Sequence, residues 1–230
     1  MRQKTTAPVI LLLALTAAAT IAVAQRDSLE EWKQRDQWQR PQEVLDELQV
    51  RPGDTVADVG AGRGYFSFHL AGRVGSRGKV YAVDVDHTSL EELRRRATER
   101  KVANIETVVS EHDEPKLPPE QLDRILIVNS YHEFRNYQAM LGALLRALKP
   151  GGRMAIIDAE AENGLERDRY HDRHGIPAAL VRQEAAAAGF EFVGERPGFT
   201  DPRWGRQRKW YFLLFRRVPG SRAPLAGGGQ

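Results

Sequence analysis

Hydrophobic and polar positions along the chain alternate between two textures. Short apolar runs of strand length, "TVADVG" (55–60), "KVYAVDVD" (79–86), "IETVVS" (105–110), "RILIVNS" (124–130) and "RMAIID" (153–158), form the first. Between them lie "YFSFHLAGRVG" (65–75), "SLEELRRRATERK" (89–101) and "NYQAMLGALLRAL" (136–148), where apolar residues recur three and four apart, as on one face of a helix. "PQEVLDELQV" (41–50) precedes them as a helix that opens on proline and stops at the turn "RPGD". Strands separated by helices of about 10–15 residues predict βαβ units and a parallel sheet covered on both faces.

The last third changes character. "PAALVRQEAAAAGF" (177–190) reads as an alanine-rich helix closed by Gly189. "FEFVGERPG" (190–198) and "KWYFLLFRR" (209–217) read as two strands joined by the polar loop "FTDPRWGRQR", an antiparallel hairpin at the end of the sheet. The predicted fold class is therefore α/β. It is a Rossmann-like doubly wound sheet, mostly parallel with an antiparallel last strand, in a three-layer αβα sandwich spanning residues 41–218.

The ends carry other signals. "MRQKTTAP" supplies a basic start, residues 9–23 an apolar stretch, and Ala22-Val23-Ala24 a small-x-small cleavage site. That stretch is about 15 residues, short of the roughly 20 that span a bilayer. Residues 1–24 are read as a cleaved signal peptide, with an uncleaved inner-membrane anchor at 9–23 as the alternative. The expected location is periplasmic or secreted, with no stable membrane insertion after cleavage. Residues 25–40 read as a charged helical arm whose Trp32 and Trp38 pack on the domain, and 219–230 as a disordered tail without apolar residues to bury. The chain has no cysteine, so export brings no disulfide framework and stability rests on the core. Its formal net charge is only +3, with Arg2 and Lys4 among the positives, which argues against a general nucleic-acid partner. The basic "RWGRQRKW" lacks a continuous aromatic–basic stripe and reads as a solvated hairpin.

The candidate chemistry begins where the first strand hands over to the first helix of the sheet. Gly60, Gly62 and Gly64 stand at alternate positions there, behind Asp58. Glycines let a ligand approach the main chain, and the following helix start favours negative charge. A dinucleotide fingerprint wants G-x-G-x-x-G/A, but the third glycine comes one residue early and Tyr65 stands in the expected place. A carboxylate at Asp58 would also repel a pyrophosphate. A nicotinamide enzyme is disfavoured on both counts.

"DVGAGRG" (58–64) resembles the first motif, D/E-x-G-x-G-x-G, of the class I S-adenosylmethionine-dependent methyltransferases. The resemblance covers most of 41–217: "AVDVD" (82–86) is similar to the acidic end of the second strand and "LKPGGRM" (148–154) to the turn into the fifth. The final hairpin is similar to the family's reversed last strand. A bacterial subgroup with "W-x-R-P" upstream and "YHEF"-like residues after the fourth strand is most similar. The resemblance implies S-adenosyl-L-methionine as cofactor, held by Asp58, Gly60, Gly62 and Gly64, with the ribose hydroxyls on Asp84. It also implies an acid after the third strand for the adenine. Glu111, followed by His112, is one choice and Asp113 in "EHDEP" the other. Asn129 should line the floor of the crevice, and Asp86 is the better candidate to cap the next helix.

Methyl transfer needs alignment, exclusion of water and, for some acceptors, removal of a proton. Tyr131, His132 and Glu133 after strand four, and Asp158 and Glu160 after strand five, are placed for this, with His171 and His174 in "RYHDRHG". His132 is the candidate base, its plain alternative being a histidine bonded to a neighbouring loop. No metal is expected, because "YHEFRNY" lacks H-E-x-x-H spacing. The function expected is methyl transfer to a small-molecule or envelope acceptor. The alternative is an exported protein that binds S-adenosylmethionine without transfer. The oligomeric state is not legible.

Overall fold

In a computed structural model of the chain, residues 30–201 and 208–220 are described. The expected signal segment, the tip of the final hairpin and most of the expected tail lie outside them. The chain divides into two units at Arg40. In the first, residues 30–39 are helical, with Lys33 bonded to Glu30 at 2.7 Å and Arg35 to Gln39 at 2.8 Å. No helix among the described residues is long and apolar enough to cross a membrane.

The second unit is built on a seven-stranded sheet of order β3-β2-β1-β4-β5-β7-β6 among the described residues. The strands are β1 (Thr55–Val59), β2 (Lys79–Asp84), β3 (Ile105–Val109), β4 (Leu122–Val128), β5 (Leu148–Ala159), β6 (Phe190–Asp201) and β7 (Arg208–Arg217). Strands β1 to β5 pair in parallel, while β7 runs antiparallel to both β5 and β6. The helices are α1 (Pro41–Glu47), α2 (Tyr65–Val74), α3 (His87–Glu99), α4 (Tyr137–Ala147), the short α5 (Arg169–Asp172) and α6 (Ala178–Ala187). The doubly wound order and reversed final strand are those expected from the pattern of apolar runs.

Strand β1 shows why the order arises. Four of its five residues are buried, because helices lie on both faces of a parallel sheet and leave no solvent side. On one face Ile125, Ile127 and Ile156 meet Leu141, Leu144 and Val181 of the helices. A second cluster, Ala61, Ala82, Leu90 and Leu93, packs α3 on the sheet. Helix α3 buries Leu90, Leu93 and Ala97, a three- and four-residue spacing. Asp86 caps it, accepting from Thr88 N–H at 2.9 Å and Ser89 Oγ at 2.7 Å.

Two elements differ from expectation. The hairpin strands continue into the predicted loop, to Asp201 and from Arg208. Buried Phe199 packs edge-on to Phe212, ring centres 5.5 Å apart, and gives the extension an apolar anchor. Register shifts near Val193 and at Pro197-Gly198 bend this edge, the second where proline has no N–H to give the ladder. The "KPGG" turn is likewise absorbed into β5, with a shift between Leu122 and Arg124 on β4 and Gly151 at φ +79°.

Ile156 is fully buried between Ile127 of β4 and Leu213 of β7. Ile156→Ala is expected to lower stability by ~2–5 kcal/mol, read from the urea midpoint at unchanged slope. A loss under ~1 kcal/mol would place the core's centre elsewhere.

Candidate cofactor and acceptor site

The order of strands leaves a crevice at the carboxyl ends of β1 and β4, where the chain changes direction of winding and ligands collect in such sheets. Gly60, Gly62 and Gly64 form its floor with φ of +77°, +51° and +87°, a region L side chains avoid. At Gly60 there is also no room, since a Cβ would overlap the Ser130 side chain that follows β4. Ser130 Oγ in turn donates to Val59 O at 3.1 Å. Gly62 faces open space. Gly64 starts α2, and a Cβ there would come within 2.7 Å of Leu93.

The acids take different places. Asp58 is buried under the turn and accepts from Ser67 Oγ at 2.6 Å, tying β1 to the first turn of α2. Asp84 ends β2 half-buried. Its Oδ2 accepts Gly62 N–H at 2.7 Å and its Oδ1 accepts Asp86 N–H at 2.9 Å. Each oxygen keeps acceptor capacity, since an ionised carboxylate offers about four lone-pair sites. Asp84 thus fixes the glycine turn as well as standing beside it, a role the sequence reading did not assign.

Glu111, His112 and Asp113 are exposed beyond β3. Their loop is tied to the crevice by Ser110 N–H, which donates to Asp84 O at 3.0 Å. Lys116 Nζ lies 2.6 Å from Glu111 and holds its carboxyl below the usual carboxylate range. Asn129 closes β4 in the left-handed region at φ +55°, exposed, with its N–H on Ile157 O at 2.8 Å. The glycine turn, Asp84 and Asn129 therefore converge on one crevice, with the Glu111–Asp113 loop at its rim.

His132 sits two residues past Ser130 in a 3-10 turn (Tyr131–Glu133) and is 1% exposed. Its Nδ1 lies 3.0 Å from both oxygens of Asp158, which is fully buried at the end of β5. Asp158 also accepts N–H bonds from His132 at 3.1 Å and Ala159 at 2.8 Å. A carboxylate only accepts, so Nδ1 carries a proton, and in the neutral ring Nε2 presents a lone pair. Nε2 is buried and has no hydrogen-bond partner. An oriented imidazole with a free Nε2 is the arrangement of a proton acceptor.

Around it runs a second buried polar group. Tyr131 OH donates to Glu184 at 2.7 Å, and Arg167 Nε donates to the other Glu184 oxygen at 2.9 Å. Burial pushes the Glu184 carboxyl above its ordinary value, against the pull of Tyr131 and Arg167, and pushes the Tyr131 phenol well up. Asp158 as partner of His132, and Glu184 altogether, were not assigned from sequence. The signal was there for both: an acid that closes an apolar run, as in "MAIIDA", or sits on the apolar face of an alanine-rich helix must be paired if buried. Among the described residues, no cluster of three or more His, Asp or Glu side chains is arranged to hold a metal ion.

With this geometry in place, the comparisons with known proteins are specific. Residues 56–152 match the family described as a methyltransferase domain. The aklanonic acid methyltransferase DauC of Streptomyces sp. (strain C5) is 39% identical over 107 residues, covering 45% of this chain and 47% of that protein. A ubiquinone/menaquinone biosynthesis C-methyltransferase of Pseudomonas putida (strain KT2440) is 32% identical over 128 residues, covering 55% and 50%. The chain spans about half the length of the curated relatives it matches. A crystal structure of an S-adenosylmethionine-dependent methyltransferase from Aquifex aeolicus superposes with a TM-score of 0.66 at 25% identity, covering 77% of this chain and 89% of that one. Residues 56–152 thus carry a methyltransferase domain, and the fold is that of the class I S-adenosylmethionine-dependent methyltransferase family. S-adenosylmethionine is the cofactor of that family, and the crevice fits it: bare backbone above Gly62 and an accepting carboxylate at Asp84.

Asp84→Ala is expected to weaken S-adenosylmethionine binding at least tenfold, since losing an accepting carboxylate costs about 1.5–3 kcal/mol. Isothermal calorimetry on the full chain measures it, and unchanged affinity would remove Asp84 from the site.

Proposed function

We propose that this chain transfers a methyl group from S-adenosylmethionine to a small-molecule acceptor whose attacking atom loses a proton to His132. The single observation that carries this reading is the buried His132–Asp158 pair beside the glycine turn. A histidine with only a packing role would not need a buried carboxylate on Nδ1 and an unpartnered Nε2. When bound, the cofactor supplies a methyl group on a positively charged sulfur, open to in-line displacement.

The chain's own residues do the rest. Asp58, Gly60, Gly62, Gly64 and Asp84 shape and hold the cofactor crevice, with the loop of Glu111, His112 and Asp113 at its adenine end. Asn129 lies between that crevice and the 3-10 turn. His132 Nε2 takes the acceptor's proton, and Asp158 orients the ring and balances the resulting imidazolium. Glu133 Oε1, 3.7 Å from Nε2 and half-exposed, gives the proton a way to solvent. Relatives named for aklanonic acid and for ubiquinone and menaquinone support a small-molecule acceptor.

His132→Gln is expected to lower kcat by about 10²–10⁴-fold with S-adenosylmethionine affinity within threefold of the parent. Asp158→Asn should lower kcat similarly, because the ring loses its fixed tautomer. Labelled-methyl incorporation into extracted small molecules supplies the assay. A kcat unchanged in both variants would sink the base assignment, and no incorporation despite tight cofactor binding would favour a non-catalytic binding protein.

The basic start, apolar stretch and Ala22-Val23-Ala24 site support a further part of the proposal, that the chain is exported and meets its acceptor in the cell envelope. Residues 1–30 fused to a reporter active only outside the cytoplasm should give signal. A silent reporter would return the acceptor to the cytoplasm.

A further inference from the structure

One buried polar group has no part in the transfer derived above: Tyr131, Glu184 and Arg167. Glu184 stands on α6 where Val181 and Ala185 are fully buried in one cluster with Leu141 and Leu144 of α4. A buried ion pair is often no more stabilising than a hydrophobic pair of the same shape, so packing alone does not account for a charge there. Arg167 stands in the irregular segment between β5 and α5, and its mostly buried guanidinium reaches three elements. Nε donates to Glu184 of α6 at 2.9 Å, and Cζ lies over the rings of Tyr131 and of Tyr137 on α4 at 5.6 and 5.0 Å. Nη2 donates to the Tyr131 carbonyl at 3.4 Å. That carbonyl belongs to the same peptide unit as the His132 N–H, which donates to Asp158 at 3.1 Å. This one peptide is therefore held at both ends, by Asp158 and by Arg167. Tyr131 OH, bonded to Glu184 at 2.7 Å, fixes it from a third side. Two donors on one rigid plane reach the carboxylate and the carbonyl together, which a lysine ammonium on its flexible stem does not reproduce.

We propose that Arg167 is a positioning residue for the transfer: it holds the Tyr131–His132 peptide and through it aims the imidazole at the acceptor's proton. The proposal deepens the reading of His132 as proton acceptor and rests on it for the chemistry. The His132 side chain springs from the Cα bonded directly to this peptide, so a tilt of the peptide swings the ring. Misplacing a catalytic group by about 1 Å can cost roughly 10²-fold in rate. Arg167 acts through that geometry and touches no reacting atom.

Arg167→Met and Arg167→Lys, made in the full chain, separate positioning from packing. Methionine keeps much of the bulk and loses every donor, whereas lysine keeps a charge for Glu184 and loses the fork. Both should lower the maximal rate of labelled-methyl transfer into extracted small molecules by roughly 10–100-fold, with S-adenosylmethionine affinity within about threefold of the parent. Lysine should recover most of the urea midpoint that methionine loses, but not the rate. The ring is read without turnover, in ¹⁵N-histidine-labelled protein saturated with S-adenosylhomocysteine. Both variants should shift the His132 Nδ1 and Nε2 resonances, while those of His87, exposed at the start of α3, stay in place. A rate that returns in step with stability in Arg167→Lys would overturn the proposal, as would His132 resonances identical to the parent's in both variants. An unchanged rate in His132→Gln strikes the parent reading. Unmoved resonances, with the rate lost in His132→Gln, strike this one alone.

Discussion

The site depends on a missing side chain. Ser130 occupies the space that a Cβ at Gly60 would fill, so β1 and β4 deliver their carboxyl ends into contact. Ser130 then donates to Val59 O and locks the approach from the other side. Two consequences follow from this closeness. The glycine turn is forced open above Gly62, where main chain is exposed to a ligand, and the residues just past Ser130 are held beside that opening. His132 owes its position to this packing together with its 3-10 turn and its bonds to Asp158. A larger residue at 60 would displace the cofactor floor and the imidazole together.

The glycine turn has a second constraint on its far side. Asp84 takes one backbone donor from Gly62 and one from Asp86, so a single carboxylate joins the turn after β1 to the start of α3. Asp86 then caps that helix. Ser110, bonded to the Asp84 carbonyl, brings in the loop after β3. Three strand ends are thereby coupled through Asp84. The side of the crevice that holds the cofactor is rigid before any ligand arrives, which limits the entropy lost on binding.

How much of this was legible in the sequence follows from the range of each interaction. The parallel strands could be read because burial on both faces demands uninterrupted apolar runs, and "RILIVNS" is short and rich in β-branched residues. The glycines and the acids at 58 and 84 could be read because they occur within a single strand–turn–helix unit. The extension of β6 and β7 could not, because it depends on Phe199 meeting Phe212 across the hairpin, a contact without local spacing. The partnership of His132 with Asp158 was hidden for the same reason. The residues are 26 apart, and only the pairing of Val128 with Ile157 on neighbouring parallel strands brings the following residues together.

That pairing also explains why a charge is kept where an apolar residue would pack well. Moving a carboxylate into the protein interior costs several kcal/mol, and a buried ion pair is often no more stabilising than a hydrophobic pair of the same shape. Asp158 offsets the cost with two backbone N–H groups and the His132 ring. The ring, however, is left with its other nitrogen without a hydrogen-bond partner, as is one nitrogen of His171. A fold optimised for stability alone would close both with a donor or replace them with carbon. Glu184 makes the contrast, since an equally improbable buried acid is fully taken up by Tyr131 and Arg167.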